Sequence, residues 1–127
     1  MDLQEKFNIL LTKFNLGKFD EVIFEATLMS KKYPAQEVFI NLLSLSYQAK
    51  GEFNKSILIL EEALKKGKKN FNFWNNLGLG YLKIKNFNKA EECLIEANKL
   101  NPKFINTLNN LGNLYVELNN LNKAELF

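Results

Sequence analysis

The chain has 127 residues, of which 46% are hydrophobic, 13% aromatic and 24% charged, which is enough apolar material for one folded domain of ordinary size. This composition excludes a disordered chain, and no apolar run approaches the roughly 20 residues that a membrane-spanning helix needs. The net charge is +3, all 17 basic residues are lysine, and histidine is absent. The sequence therefore lacks the arginine that usually reads phosphate or guanine, and the histidine that usually serves acid–base chemistry.

The N-terminal residues lack the basic start and the long apolar segment of a secretory signal. A single cysteine, Cys93, cannot form an internal disulfide. Both observations favour a cytoplasmic location.

The chain repeats itself along its length. The segment from Trp74 to Tyr81 aligns with the segment from Leu108 to Tyr115 at an offset of 34 positions, and the segments that follow them align at the same offset. A period shared by glycine, proline, tyrosine and phenylalanine is typical of a repeat architecture. In chain order, the predicted repeats cover residues 3–36, 37–70, 71–104 and 105–127.

Each repeat is predicted to contain two helices, so that the chain is all-α, with seven complete helices, a fragment of an eighth and no strand. In the third repeat Trp74, Leu77 and Tyr81 recur at three- and four-residue steps, which places them on one face of a first helix. The pair Asn101-Pro102 is expected to end the second helix, because proline disfavours helical geometry in the residue before it.

The turns between paired helices also follow the period. Gly17 and Gly51 stand where the chain must reverse, which often needs a positive φ, and Asn86 and Asn120 are expected to meet that need in the later repeats. The second helices are expected to begin at asparagine or aspartate N-caps, namely Asp20, Asn54, Asn88 and Asn122.

The residues at the packing positions are similar to those of the tetratricopeptide repeat. The third repeat carries Trp74, Leu77, Gly78, Tyr81, Ala90, Leu94, Ala97 and Pro102, and the fourth keeps Leu111, Gly112, Tyr115 and Ala124. The first repeat departs from the pattern, since Leu10 replaces the small residue. The resemblance implies tandem helix pairs stacked into a right-handed superhelical α-solenoid, as a single domain over residues 1–127.

In this family the first helix of each repeat lines a concave face. The resemblance therefore implies a protein–protein interaction module or scaffold that binds an extended peptide or a partner protein there. Asparagines recur in the predicted first helices, and the candidate binding residues are Asn41, Asn72, Asn75, Asn76, Asn106, Asn109, Asn110 and Asn113.

A side-chain amide both donates and accepts hydrogen bonds, so a row of them would hold a peptide by its backbone. This row resembles the asparagine ladder of the O-linked N-acetylglucosamine transferases, most closely at Asn76 and Asn110, and it is interrupted at Leu42. The alternative is that the asparagines reflect an asparagine-rich composition on a solvated face.

Other site chemistries are not expected. The sequence shows no phosphate loop, metal cluster or nucleophile triad, so catalytic, cofactor-binding and metal residues are predicted to be absent, with no small-molecule substrate and no membrane insertion. The family's clamp for chaperone C-termini needs lysine and arginine where this chain has Phe7, Leu11, Asn72 and Asn76. The lysine-rich turn 65–69 would suit nucleic acid or anionic lipid, but it is better explained as a solvated helix end.

The fourth repeat stops inside its predicted second helix, which indicates an incomplete repeat. An alternative function is therefore the N-terminal, substrate-recruiting region of a larger enzyme such as a glycosyltransferase or a sulfotransferase. Leu108, Leu111 and Tyr115 need a covering helix, and the segment from Leu121 to Phe127 is too short to supply one. This end of the chain is expected to fray, to exchange between copies or to self-associate.

Overall fold

The computed structural model describes residues 1–67 and 69–125, with residues 123–125 described by their backbone alone. These residues form seven helices and no strand, which confirms the predicted all-α fold. The first four are α1 Leu3–Asn15, α2 Phe19–Lys32, α3 Glu37–Ala49 and α4 Phe53–Lys65. The other three are α5 Phe71–Lys83, α6 Phe87–Leu100 and α7 Ile105–Glu125.

The chain divides into two compact units, Met1–Lys68 and Lys69–Phe127, here called the N-terminal and C-terminal units. In the N-terminal unit α2 packs against α1 and α3, and α3 also packs against α4. Its core contains Val22, Ala26 and Phe39, none of which has any exposed surface. That the two units act as a single domain stays a prediction from the sequence.

In the C-terminal unit α5 packs against α6, and α7 packs against both. The predicted packing residues of the third repeat form its core, since Leu77, Gly78, Tyr81, Ala90, Leu94 and Ala97 are all buried. Trp74 is half-buried. A Cβ atom added to Gly78 would lie 2.6 Å from Leu94 Cγ, so the two helices can approach this closely only because residue 78 is glycine.

The turns within the helix pairs use a left-handed residue at a fixed place in the repeat. Its φ is +78° at Gly17, +77° at Gly51 and +67° at Lys85. The prediction that Asn86 takes this role is therefore wrong by one residue. Asn86 instead has φ −90° and ψ +79°, outside the left-handed region, and its side-chain oxygen accepts a hydrogen bond from the backbone N–H of Lys89.

The second helices begin earlier than predicted. Because Asn86 caps α6, Asn88 lies inside the first turn, and its prediction as the N-cap is wrong. The same correction applies to Asp20 and Asn54, since α2 and α4 begin one residue before them. The end of α6 agrees with the prediction: the helix stops at Leu100, and the next residue leaves helical geometry before the exposed proline.

The predicted eighth-helix fragment is wrong, because α7 continues without a break through Asn119 and Asn120 to Glu125. Asn119 occupies the repeat position of Gly17, Gly51 and Lys85. Staying helical there preserves the backbone hydrogen bonds and avoids a left-handed conformation, which costs a non-glycine residue roughly 1–2 kcal/mol. The side chain of Ala124, a predicted packing residue, and residues 126 and 127 lie outside the described part.

Candidate functional site

The candidate site lies on α5 and α7, the first helices of the two repeats in the C-terminal unit. The start of α5 is set by Asn70, whose side-chain oxygen accepts a 2.9 Å hydrogen bond from the backbone N–H of Asn72. Phe71 packs edge-to-face on Phe104, with 4.9 Å between the ring centroids. These contacts fix the start of α5 against the segment that leads into α7.

A network of side chains joins the two helices. Asn75 Oδ1 accepts one 3.0 Å hydrogen bond from Thr107 Oγ1 and another from Asn110 Nδ2. The Nδ2 group of Asn75 lies 3.4 Å from Asn76 Oδ1, to which it donates. Asn75 is 4% exposed and Thr107 is fully buried. Both lone pairs of the Asn75 oxygen are therefore used inside the protein, and this amide positions α7 on α5.

The remaining candidate amides in this unit differ in accessibility. Asn76 is only 5% exposed, whereas Asn72 and Asn110 are half-buried. Three others are exposed on α7 at three- and four-residue spacing, which places them on one face: Asn106, Asn109 and Asn113. The structure thus separates the sequence-predicted row into an internal part and an exposed part.

Asn41 stands apart from the others. It lies half-buried on α3 of the N-terminal unit, and its backbone oxygen accepts a 2.8 Å hydrogen bond from Ser44 Oγ. A cleft of about 440 Å³ in that unit is lined by residues of α2, α3 and α4, and Asn41 is not among them.

A cleft of about 330 Å³ lies in the C-terminal unit, beside the exposed asparagines. It is formed where the end of α5 meets α7, and Asn113 belongs to its wall. The other lining residues are Leu79, Leu82, Lys83, Lys85, Phe87, Val116 and Glu117. The cleft thus offers apolar surface together with charges of both signs.

The two charged helix residues of this cleft were missed as candidates. Lys83 and Glu117 both occupy the thirteenth place of their repeats, one on α5 and one on α7. Both residues lie on first helices, which the family resemblance assigns to the concave face, so the signal was present in the sequence. The asparagine candidates instead occupy the second, fifth, sixth and ninth places of their repeats.

One titrating group belongs to α7 itself. Burial and a hydrogen bond with the Glu91 carboxylate raise the pKa of Tyr115 above its ordinary value. Tyr115 nevertheless keeps 47% of its surface exposed. Its hydroxyl thus links α7 to α6 while nearly half of the residue remains exposed.

Among the described residues, no group of three or more His, Cys, Asp or Glu side chains is placed to hold a metal ion. Nor does any helix in that part of the chain have the length and apolar character needed to cross a membrane.

Comparison with known sequence families gives two matches. Both family descriptions read "Tetratricopeptide repeat"; one matches residues 71–104 and the other residues 105–127. Comparison with curated proteins finds no significant match.

Solved structures resemble most of the chain. The first TPR domain of human RPAP3 superposes with a TM-score of 0.82 at 19% identity, covering 93% of this chain and 91% of that domain. The Sgt2 TPR domain from Aspergillus fumigatus superposes with a TM-score of 0.86 at 16% identity, covering 97% of this chain and 83% of that domain. The first TPR of Spaghetti (RPAP3) was solved bound to the HSP90 peptide SRMEEVD. It superposes with a TM-score of 0.78 at 19% identity, covering 90% of this chain and 88% of that domain. At these identities the likeness shows a shared helical-repeat fold.

Proposed function

Because the chain belongs to the tetratricopeptide repeat family, we propose that it is a non-catalytic module that binds another polypeptide. The proposed binding surface is the α7 face of Asn106, Asn109 and Asn113, together with the adjoining cleft at the end of α5. The single observation that carries this proposal is the exposure of these three amides on one helix face, next to a partly apolar cleft.

The exposed amides suit a peptide backbone. Each side chain offers two N–H donors and one carbonyl acceptor, so it can pair with both groups of a peptide unit. Binding through the backbone would be largely independent of the ligand's sequence. Asn75 and Asn110 have a different part in this proposal: their hydrogen bond holds α7 in register with α5 and so positions the exposed row.

The cleft would add side-chain selectivity. Leu79 and Leu82 offer apolar surface to a ligand side chain, whereas Lys83 and Glu117 would pair with ligand charges at the rim. Asn113 belongs both to the row and to the cleft wall. A peptide that lies along the amides would therefore direct one of its side chains into the cleft.

The Spaghetti domain supports a polypeptide as the class of ligand, because it was solved with an HSP90 peptide bound. The proposal does not extend to that particular peptide. The basic residues of the family's chaperone clamp are replaced here by Phe7, Leu11, Asn72 and Asn76. A different extended segment is the proposed ligand.

The test begins with peptides selected from a random library for binding to the whole chain. Titration calorimetry then compares the wild type with the double variant Asn109→Ala/Asn113→Ala. A net contribution of about 0.5–1.5 kcal/mol per hydrogen bond predicts a loss of roughly one to several kcal/mol, or about tenfold or more in affinity. Methylating the peptide's backbone amides should weaken binding more than scrambling its sequence.

The matched control is Asn88→Ala, an exposed asparagine on α6 of the same unit. It should leave the affinity unchanged. If the double variant binds as tightly as the wild type, or if Asn88→Ala weakens binding equally, the proposed face is not the binding surface.

A further inference from the structure

Helix α7 has a second exposed stripe, which is apolar and borders the asparagine face. Its exposed fractions are 68% at Ile105, 47% at Leu108, 47% at Tyr115 and 59% at Val116. Gly112 lies between them on the same side of the helix. We call these five residues the α7 stripe. Apolar side chains grouped in this way on one helix face usually mark a contact surface.

The equivalent stripe on α5 shows what such a surface accepts. Trp74, Gly78 and Tyr81 occupy the same repeat places, and there α6 packs on α5 with Leu94 against Gly78. At Gly112 no atom of the described residues lies within 4 Å of the place that a Cβ would occupy. The α7 stripe thus presents, uncovered, the kind of notch that receives a helix within the third repeat.

We propose that a second copy of this chain covers the stripe, with the two α7 helices antiparallel and crossing at Gly112. This arrangement is self-complementary. A two-fold axis at Gly112 places Leu108 of each copy opposite Val116 of the other, which forms two pairs of apolar side chains. None of the five stripe residues is charged, so no charge of the stripe itself is buried by the pairing.

Glycine at the crossing point supports the same pairing. Two helices that meet at glycine can approach more closely than helices that meet at larger side chains, as the Gly78 crossing of α5 and α6 shows. The antiparallel arrangement also places the helix dipoles in opposite directions, which is the favourable orientation for two adjacent helices.

The area of the stripe determines how strong the dimer would be. Its side chains expose roughly 400 Å² per copy, so a pair would bury on the order of 800–1,000 Å², below the roughly 1,200–2,000 Å² of stable interfaces. The dimer is therefore expected to be weak or transient. This surface includes none of the exposed amides but shares Val116 with the cleft of the proposed binding site, and the proposal does not depend on peptide binding.

The first test is sedimentation velocity on residues 1–127 over a concentration series from about micromolar to about millimolar. The wild type should shift from monomer to dimer, and Leu108→Glu should raise the dissociation constant at least tenfold. The matched control is Leu58→Glu, at a leucine on α4 that is even more exposed (67%), which should dimerise like the wild type. Circular dichroism checks that both variants remain helical.

The second test measures the register by disulfide formation, in a Cys93→Ser background. One preparation carries Leu108→Cys and another carries Val116→Cys. Mixed together they should cross-link readily, because the two positions face each other across the two-fold axis. Each alone should cross-link slowly, since like positions lie about 12 Å apart along the helices. The proposal would be overturned if the wild type stayed monomeric throughout the concentration series, or if Leu108→Glu dimerised as well as the wild type. It would also be overturned if the single and the mixed preparations cross-linked equally.

Discussion

The side-chain amide of Asn110 on α7 donates a 3.0 Å hydrogen bond to Oδ1 of Asn75 on α5. The two residues come from successive repeats, and both belong to the asparagine row that the sequence predicts as a peptide-binding surface. In the folded chain they bind each other, and Thr107 adds a second 3.0 Å bond to the same oxygen. Part of the row therefore holds the first helices together, which leads to a prediction about stability.

Asn75→Ala should destabilise the C-terminal unit by roughly 1–3 kcal/mol, because it leaves the buried Thr107 hydroxyl and the Asn110 amide without their acceptor. Urea titration followed by the fluorescence of Trp74, the single tryptophan, measures the change. Asn109→Ala, at the same repeat position but exposed, should stay within about 0.5 kcal/mol of the wild type. Similar losses for the two variants would mean that the network contributes nothing.

The two glycines of the third and fourth repeats should respond oppositely to alanine. At Gly78 the new Cβ would lie 2.6 Å from Leu94 Cγ, so Gly78→Ala should cost about 1–3 kcal/mol through overpacking. At Gly112 the space is open, so Gly112→Ala should stabilise the helix by about 0.5–1 kcal/mol. Denaturant titration at low protein concentration, where the chain is monomeric, compares them. If both variants changed the free energy of unfolding in the same direction, the difference in packing between Gly78 and Gly112 would be contradicted.

Lys85→Gly should raise stability by about 1 kcal/mol, because lysine is held at a φ of +67° that glycine adopts without a steric cost. Thermal unfolding followed by circular dichroism provides the measurement. Lys83→Gly is the control: it lies in the last turn of α5 and should lower stability by roughly 0.5–1 kcal/mol. If both variants are less stable than the wild type, the left-handed turn imposes no strain.

Tyr115 should titrate above the ordinary tyrosine pKa, mainly because of burial and secondly because of its bond with Glu91. Because the pKa is raised in the folded state, Tyr115 contributes to the stability of the fold. This stabilisation is fully present below the ordinary tyrosine pKa, and it is lost as the pH rises through the folded-state pKa. The difference in tyrosinate absorbance between the wild type and Tyr115→Phe isolates this group. Glu91→Gln should reduce the shift without removing it, and an ordinary pKa for Tyr115 would refute the assignment.

The fold class could be read from the sequence because its signals are local and repeated. The 34-residue period places apolar residues on one side of each helix, and small residues where paired helices cross, as at Gly78. Proline after Asn101 ends α6 for a reason contained in two neighbouring residues. Signals of this kind need no knowledge of which helices are neighbours.

The exposure of the candidate binding residues was decided only by the tertiary structure. Asn75 and Asn109 hold the same place in successive repeats, yet Asn75 is 4% exposed and hydrogen-bonded to α7, whereas Asn109 faces solvent. The break expected at Asn119 likewise disappears in the continuous α7. Repeat position assigns a residue to a helix face, but its burial depends on whether another helix packs on that face, and this depends on contacts between residues far apart in the chain.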